Sequence, residues 1–245
     1  DALAAAFFGD RSTCSRRLAR LAGAGLLRVH VEHLNAPNVY YLSERAAEHL
    51  VAEGVDEDAL HVGRLPKREA LDHLRHLAEL RAQVMVAVRD RADLTLDLFL
   101  ADHDLRRVAA GSVPAYVPDA LVKLTHVTRG TVGLAWEVDL AHQSARYIAD
   151  TKGRATVALA ATRTPLWGLS TFRPLFLAPT ATRLRSVAAA LMEVGGDDLW
   201  WGTTFEALAL VGVFGPAFLS LREVAATPRT EPLVFARGLL DSSAR

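Results

Sequence analysis

From Lys67 onward the hydrophobic pattern changes period several times, and the order of those changes limits the fold more than any other feature. Lys67 to about Arg91 carries one long helical period, with Leu71, Leu74, Ala78, Ala82 and Met85 on its core face and a more apolar end at Val84–Val88. Runs at Thr95–Leu100, Ala120–Leu124 and Val132–Val138 then read as strands. A helix within Ser144–Ala161, a strand at Leu175–Leu177, a helix over Ala181–Met192 and the segment Leu199-Trp200-Trp201 follow. No firm element is expected after about Arg222. Helix, three strands, helix, strand and helix predict an α/β layer around a central mixed sheet.

The preceding residues are built differently. Ala2–Phe8 is a helix fragment, its beginning expected to be cut short, and Gly9-Asp10 is a break. Asp10 or Ser12 can cap a second helix through about Ala22, with Cys14, Leu18 and Leu21 as its buried stripe. Leu27–His33 and Val39–Leu42 flank the turn Asn35-Ala36-Pro37-Asn38, which predicts a hairpin. Ser43 opens a further helix to about Glu53. Gly54, Gly63 and Pro66 among polar residues mark a linker, so two domains are expected, 1–62 and 63–245.

Charge is informative only locally. Lys+Arg and Asp+Glu number 28 each, so a globally basic nucleic-acid binder is excluded and any such site must be a patch. One patch is evident: no acidic residue stands between Asp10 and Glu32, while Arg11, Arg16, Arg17, Arg20 and Arg28 do. At about 100° per residue, Arg16 and Arg20 fall opposite Cys14, beside Ser12 and Thr13. A major groove admits such a helix, and Arg donates to phosphate oxygens and guanine edges. Short helix, break, Arg-rich helix and hairpin are the parts of a winged helix-turn-helix, with the hairpin tip as wing. Arg11, Arg17 and Arg28 suit phosphates, and Arg16, Arg20 and Thr13 suit base edges. Any one of these arginines read alone is simply a solvated side chain. Tyr40 and Tyr41 are read as strand packing.

The run Arg16-Arg17-Leu18-Ala19-Arg20-Leu21-Ala22-Gly23-Ala24-Gly25-Leu26-Leu27-Arg28, followed by Tyr40-Tyr41-Leu42-Ser43, resembles the winged-helix half of the replication-relaxation family. Pro118-Asp119-Ala120-Leu121, Trp136-Glu137-Val138-Asp139, Ser144 and Lys152 resemble its second half, which is similar in layout to the PD-(D/E)xK nuclease fold. The resemblance spans about residues 3–210. It implies an α/β (α+β overall) protein, a winged helix-turn-helix followed by a three-layer restriction-endonuclease-like domain. It also implies a role in plasmid or mobile-element replication or mobilisation, in bacteria.

Within that pattern the carboxylates carry the chemistry. Asp119 begins one strand and Glu137 ends the next, 18 positions on, so adjacent strands can bring both to one sheet edge. Such a pair can hold Mg²⁺, an oxygen-seeking cation that activates water for phosphodiester attack. Asp139 shares the strand parity of Glu137, and Asp97 on the preceding strand can join. The nuclease pattern places Lys two residues after the second carboxylate, where this chain has Asp139. Lys152 or Lys123 is left to replace it. Asp119, Glu137 and Lys152 are thus the candidate catalytic set, and Asp119, Glu137 and Asp139 the candidate metal ligands.

Three readings remain open: a DNA-binding protein whose nuclease-like domain is a remnant, a Mg²⁺-dependent endonuclease with a migrated lysine, and a protein-interaction module. The partners expected are double-stranded DNA and replication or mobilisation proteins. A homodimer is compatible, though no coiled-coil heptads support it. The single cysteine, Cys14, excludes a disulfide framework and reads as core filler. With no apolar run of about 18 residues and a poor signal peptide, the cytoplasm is the expected location. His73 and His76 read as helix-surface residues, Asp102-His103-Asp104 as a turn or helix cap, and Trp200-Trp201 as core. Ser170 lacks a nucleophile-elbow context, and no P-loop or dinucleotide fingerprint occurs.

Overall fold

The computed structural model describes residues 2–31, 38–57, 60, 68–109, 114–196 and 198–239. The Asn35–Pro37 part of the expected wing tip, and most of the expected linker, lie outside them. The chain divides into two compact units, Asp1–Leu74 and Arg75–Arg245.

The first unit holds α1 (Ala2–Phe7), α2 (Arg11–Gly23), the antiparallel hairpin β1 (Leu27–His30) and β2 (Val39–Leu42), and α3 (Glu44–Ala52). Asp10 starts α2 by accepting from the Thr13 backbone N–H at 2.7 Å, and Ser43 starts α3 by accepting from Ala46 N–H at 3.1 Å. The Ser43 hydroxyl donates to Gly25 O at 2.6 Å, tying α3 to the chain just after α2. The expected stripe on α2 is only partly buried: Cys14 is enclosed and Leu18 half-buried, but Leu21 is 39% exposed.

The unit boundary falls within α4 (Arg68–Arg89). The second unit then runs β3 (Leu94–Ala101), α5 (Asp102–Val108), β4 (Ala120–His126), β5 (Gly130–Val138), α6 (Ala145–Ile148), a π-helical turn (Ala149–Gly153), α7 (Arg154–Thr162), β6 (Phe172–Ala178), α8 (Ala181–Glu193), β7 (Trp201–Thr204), α9 (Phe205–Val211), β8 (Leu219–Ser220) and α10 (Leu221–Ala226). The strands form one six-stranded mixed sheet in chain order, parallel at β5–β6–β7 and antiparallel elsewhere. This is the mixed α/β class expected. Alternate residues of each strand feed two cores. Leu134, Trp136, Leu175 and Leu177 pack with Leu77, Leu80 and Val84 of α4. Leu121, Ala135 and Phe176 pack with Ile148, Ala149 and the buried stripe Leu184, Val187, Ala188 and Leu191 of α8.

Two expectations are corrected. On α4, Leu71 and Ala82 are buried as expected, but Leu74 and Ala78 are exposed, and Leu77, Leu80 and Val84 complete the buried face. Asp102-His103-Asp104 forms the first turn of α5, and the Asp104 carboxylate caps it by accepting from Ala101 N–H at 3.3 Å, as the sequence offered. Structure also continues beyond Arg222 through α10, whose start is fixed by a Ser220/Glu223 capping box. Both tryptophans are core, as expected. Trp200 Nε1–H donates to the buried Thr156 hydroxyl at 2.9 Å, and the single proton of that hydroxyl is shared between Lys152 O and Gly153 O. Thr156→Val leaves the indole N–H unmet in the core, so it should cost about 1–3 kcal/mol in urea unfolding, with Thr156→Ser recovering most of the loss.

Candidate functional site

Two groups of side chains stand out, one in each unit. In the first unit, Arg11, Arg16, Arg17, Arg20 and Arg28 are all exposed. Thr13 is committed locally: its hydroxyl donates to Asp10 Oδ2 at 2.7 Å and accepts from Arg16 Nη2 at 3.3 Å. Those bonds hold the Asp10 carboxyl below its usual range. Arg28 reaches Glu44 at 3.5 Å, an exposed contact worth little in water. The fold thus supplies an acid that the local sequence lacks. Among the described residues, Arg17 and Arg20 meet no carboxylate. Arg45, not singled out in the sequence, donates to Ala24 O at 3.1 Å at the end of α2.

In the second unit, register brings the carboxylates together. Ala120 pairs with Trp136, so one further step sets Asp119 opposite Glu137. Both then take the parity of Leu121 and Ala135, the face covered by the π-helical turn and α8. Asp119 Oδ2 accepts from Val138 N–H at 2.8 Å, and Asp119 Oδ1 meets Lys152 Nζ at 3.2 Å. Lys152 Nζ also donates to Glu137 Oε2. Of the two lysines offered by the sequence, Lys152 is the one that arrives. Lys123 lies 3.8 Å from Asp97 instead, and Asp97 accepts from the Thr125 hydroxyl at 2.6 Å, so Asp97 does not join the pair.

The π-helical turn explains how Lys152 gets there. A wide turn shifts side-chain phase within a helix, and such turns recur at functional sites. Gly153 lets it lie close on α8, since a Cβ there would meet Leu191 Cδ2 at 2.6 Å and Val194 Cγ2 at 3.0 Å.

The electrostatics follow from burial. Glu137 is 2% exposed, and burial, then the neighbouring Asp119 charge, push its carboxyl up to about 8 against the opposing pull of Lys152. Burial alone would lower the Lys152 ammonium, but the Glu137 and Asp119 charges outweigh it and raise it. One ammonium against two carboxylates leaves a net negative charge, and a proton on Glu137 removes it. Tyr116, buried on the same face, has its hydroxyl pushed well up by burial and by Glu137. Neither the Tyr116 hydroxyl nor Glu137 Oε1 has a partner in hydrogen-bond geometry among the described residues, although each perturbs the other. Sequence reasoning missed Tyr116, since its only signal was proximity to Pro118-Asp119.

Asp139 is turned to a different use. Arg183 of α8 grips it in a fork, at 2.6 Å to Oδ2 and 3.2 Å to Oδ1, and Ala141 N–H donates to Oδ1 at 3.1 Å. With Asp139 so engaged, and Asp119 divided between Val138 and Lys152, Glu137 Oε1 is the carboxylate oxygen left over. Mg²⁺ is usually held by one or two protein carboxylates, with water and phosphate oxygens completing its shell. Asp119 and Glu137 are the pair placed together, with the Lys152 ammonium against both, while Asp139 is held apart by Arg183.

Because the Glu137 carboxyl sits above its ordinary 4.5, its contribution to stability falls as pH rises from about 4.5 to about 8. Lys152→Met removes the counter-charge and raises the Glu137 carboxyl further. We expect it to cost about 3 kcal/mol at pH 8, shrinking toward pH 5 as Glu137 takes up a proton, read by urea unfolding across pH. A cost independent of pH would contradict this electrostatic account.

No helix among the described residues is long and apolar enough to cross a membrane. Neither a curated protein nor a solved structure gives a significant match to the chain. The family model for replication-relaxation proteins matches residues 2–157, well over half of the chain although shorter than the span expected from sequence. That match covers α2, Asp119, Glu137 and Lys152 together, and it suggests a role in replication or mobilisation. The chain belongs to the replication-relaxation family.

Proposed function

We propose that the chain is a DNA-binding protein of plasmid or mobile-element replication or mobilisation. Its first unit acts as a winged helix, with α2 in the major groove and the β1–β2 hairpin as wing. Its second unit is a nuclease-like remnant of the restriction-endonuclease type that does not cut. The observation that carries the docking reading is the exposure of Arg16, Arg17 and Arg20 together on α2, with Arg17 and Arg20 meeting no described carboxylate. Guanidinium groups so placed supply salt-dependent affinity for phosphates and can read guanine edges. Arg11 and Arg28 extend the cationic surface, while Thr13 serves chiefly to order Arg16. Replication or mobilisation proteins are the natural second partners.

The remnant reading rests on Lys152, whose ammonium lies against both carboxylates. A cation already held by the protein compensates the charges that a metal would otherwise neutralise. Asp139, at the position of the pattern's lysine, is neutralised by Arg183 and supplies no cation to the reacting region. The same geometry gives the endonuclease reading its one specific support, since a migrated lysine beside Asp119 and Glu137 is what an active site of that type requires.

Arg16→Ala with Arg20→Ala should weaken duplex binding at moderate salt by about tenfold or more in a gel-shift titration, because each such contact is worth about 1–3 kcal/mol. Unchanged affinity would remove the docking reading. Supercoiled plasmid incubated with Mg²⁺ or Mn²⁺ should stay intact. Nicking that disappears in Glu137→Ala would establish the endonuclease instead.

A further inference from the structure

A groove of about 250 Å³ lies in the second unit between α8 and the segment that follows α10. Thr182, Arg185, Ser186 and Ala189 line it from successive turns of one face of α8, and Thr227 and Arg229 close the other side. Two guanidinium groups and three hydroxyls meet there, and no carboxylate is among the described residues of the lining. The nearby Glu223 is already bound in a fork by Arg237, which holds its carboxyl down at about 2.

Arg185 is the informative residue. Its Nη2 donates to Pro228 O at 3.3 Å and to Glu231 O, which fixes the guanidinium against the segment after α10. Its Nε is closed to solvent, so the terminal nitrogens are the ones left to meet a ligand in the groove. Arg229 stands exposed at the rim with no described ion-pair partner. Arginine presents its donors in a rigid planar fork that matches a phosphate oxyanion.

We propose that this groove binds a phosphate group, with Arg185 and Arg229 as its cationic ligands and the Thr182 hydroxyl beside them, since the Ser186 and Thr227 hydroxyls already donate to Thr182 O and Glu223 O. The phosphate comes either from a nucleic-acid backbone or from a small free phosphate compound. The site is independent of α2 and stands whether or not α2 docks DNA.

The test uses the full chain carrying Arg16→Ala and Arg20→Ala, so that α2 adds little. Inorganic phosphate is titrated by calorimetry against chloride at equal ionic strength. We expect saturable binding that weakens about tenfold or more, near 1.4 kcal/mol, in both Arg229→Ser and Ala189→Glu. Arg229 is exposed and Ala189 lies on the outer face of α8, so both variants should keep the fold, as circular dichroism will verify. In a second arm, Ala189→Glu alone is compared with the unsubstituted chain for duplex affinity. Weakened duplex binding assigns the phosphate to a DNA backbone. Lost inorganic-phosphate binding with unchanged duplex affinity assigns it to a free compound. Phosphate binding indifferent to both variants, or no phosphate binding together with unchanged duplex affinity, overturns the site.

Discussion

Glu137 is a carboxylic acid set into the apolar face of a sheet, and much of the second unit is arranged to hold it there. An ionised carboxylate at 2% exposure is costly unless it is paired or neutralised. Lys152 supplies the pairing, and the opposing strand supplies Asp119 to share it. To deliver that ammonium the helix after Ser144 widens into a π turn, Gly153 gives up its side chain so that the turn fits on α8, and Thr156 binds both the turn and Trp200. Replacing one partner of such a cluster costs more than the cluster contributes, because the remaining charges are left buried.

The proposed remnant reading rests on the same cluster. Lys152 lies against both Asp119 and Glu137, and the third carboxylate, Asp139, is clasped by Arg183. In the other unit the chemistry is the reverse: α2 keeps its arginines in water, where guanidinium groups retain their affinity for a polyanion.

Much of this was readable from the residues alone where local physics decides. Asp10 and Ser43 announced the starts of α2 and α3, and strand alternation marked β3, β4 and β5. Strand separation places Asp119 and Glu137 at one edge, and an Asp in place of Lys at 139 leaves Lys152 or Lys123 to supply the cation, a choice that only the fold decides. What escaped depends on contacts between distant residues. The phase of α4 is set by the sheet it covers, so Leu77 and Leu80 are buried where Leu74 and Ala78 had been expected. Arg183 lies 44 residues from Asp139, and no spacing signals that fork. Tyr116 sits in a short loop whose only sequence marks are two prolines, and α9 and α10 are too brief to show a clear period.

On the proposed reading, the protein's own ammonium, and not a metal, balances the charge around Glu137. The most direct measurement is a nuclear magnetic resonance titration of the Glu137 side-chain carboxyl carbon, with and without millimolar Mg²⁺. The expected midpoint is near 8 and unmoved by Mg²⁺. A midpoint in the ordinary carboxylate range, or one that moves down as Mg²⁺ saturates, would contradict it.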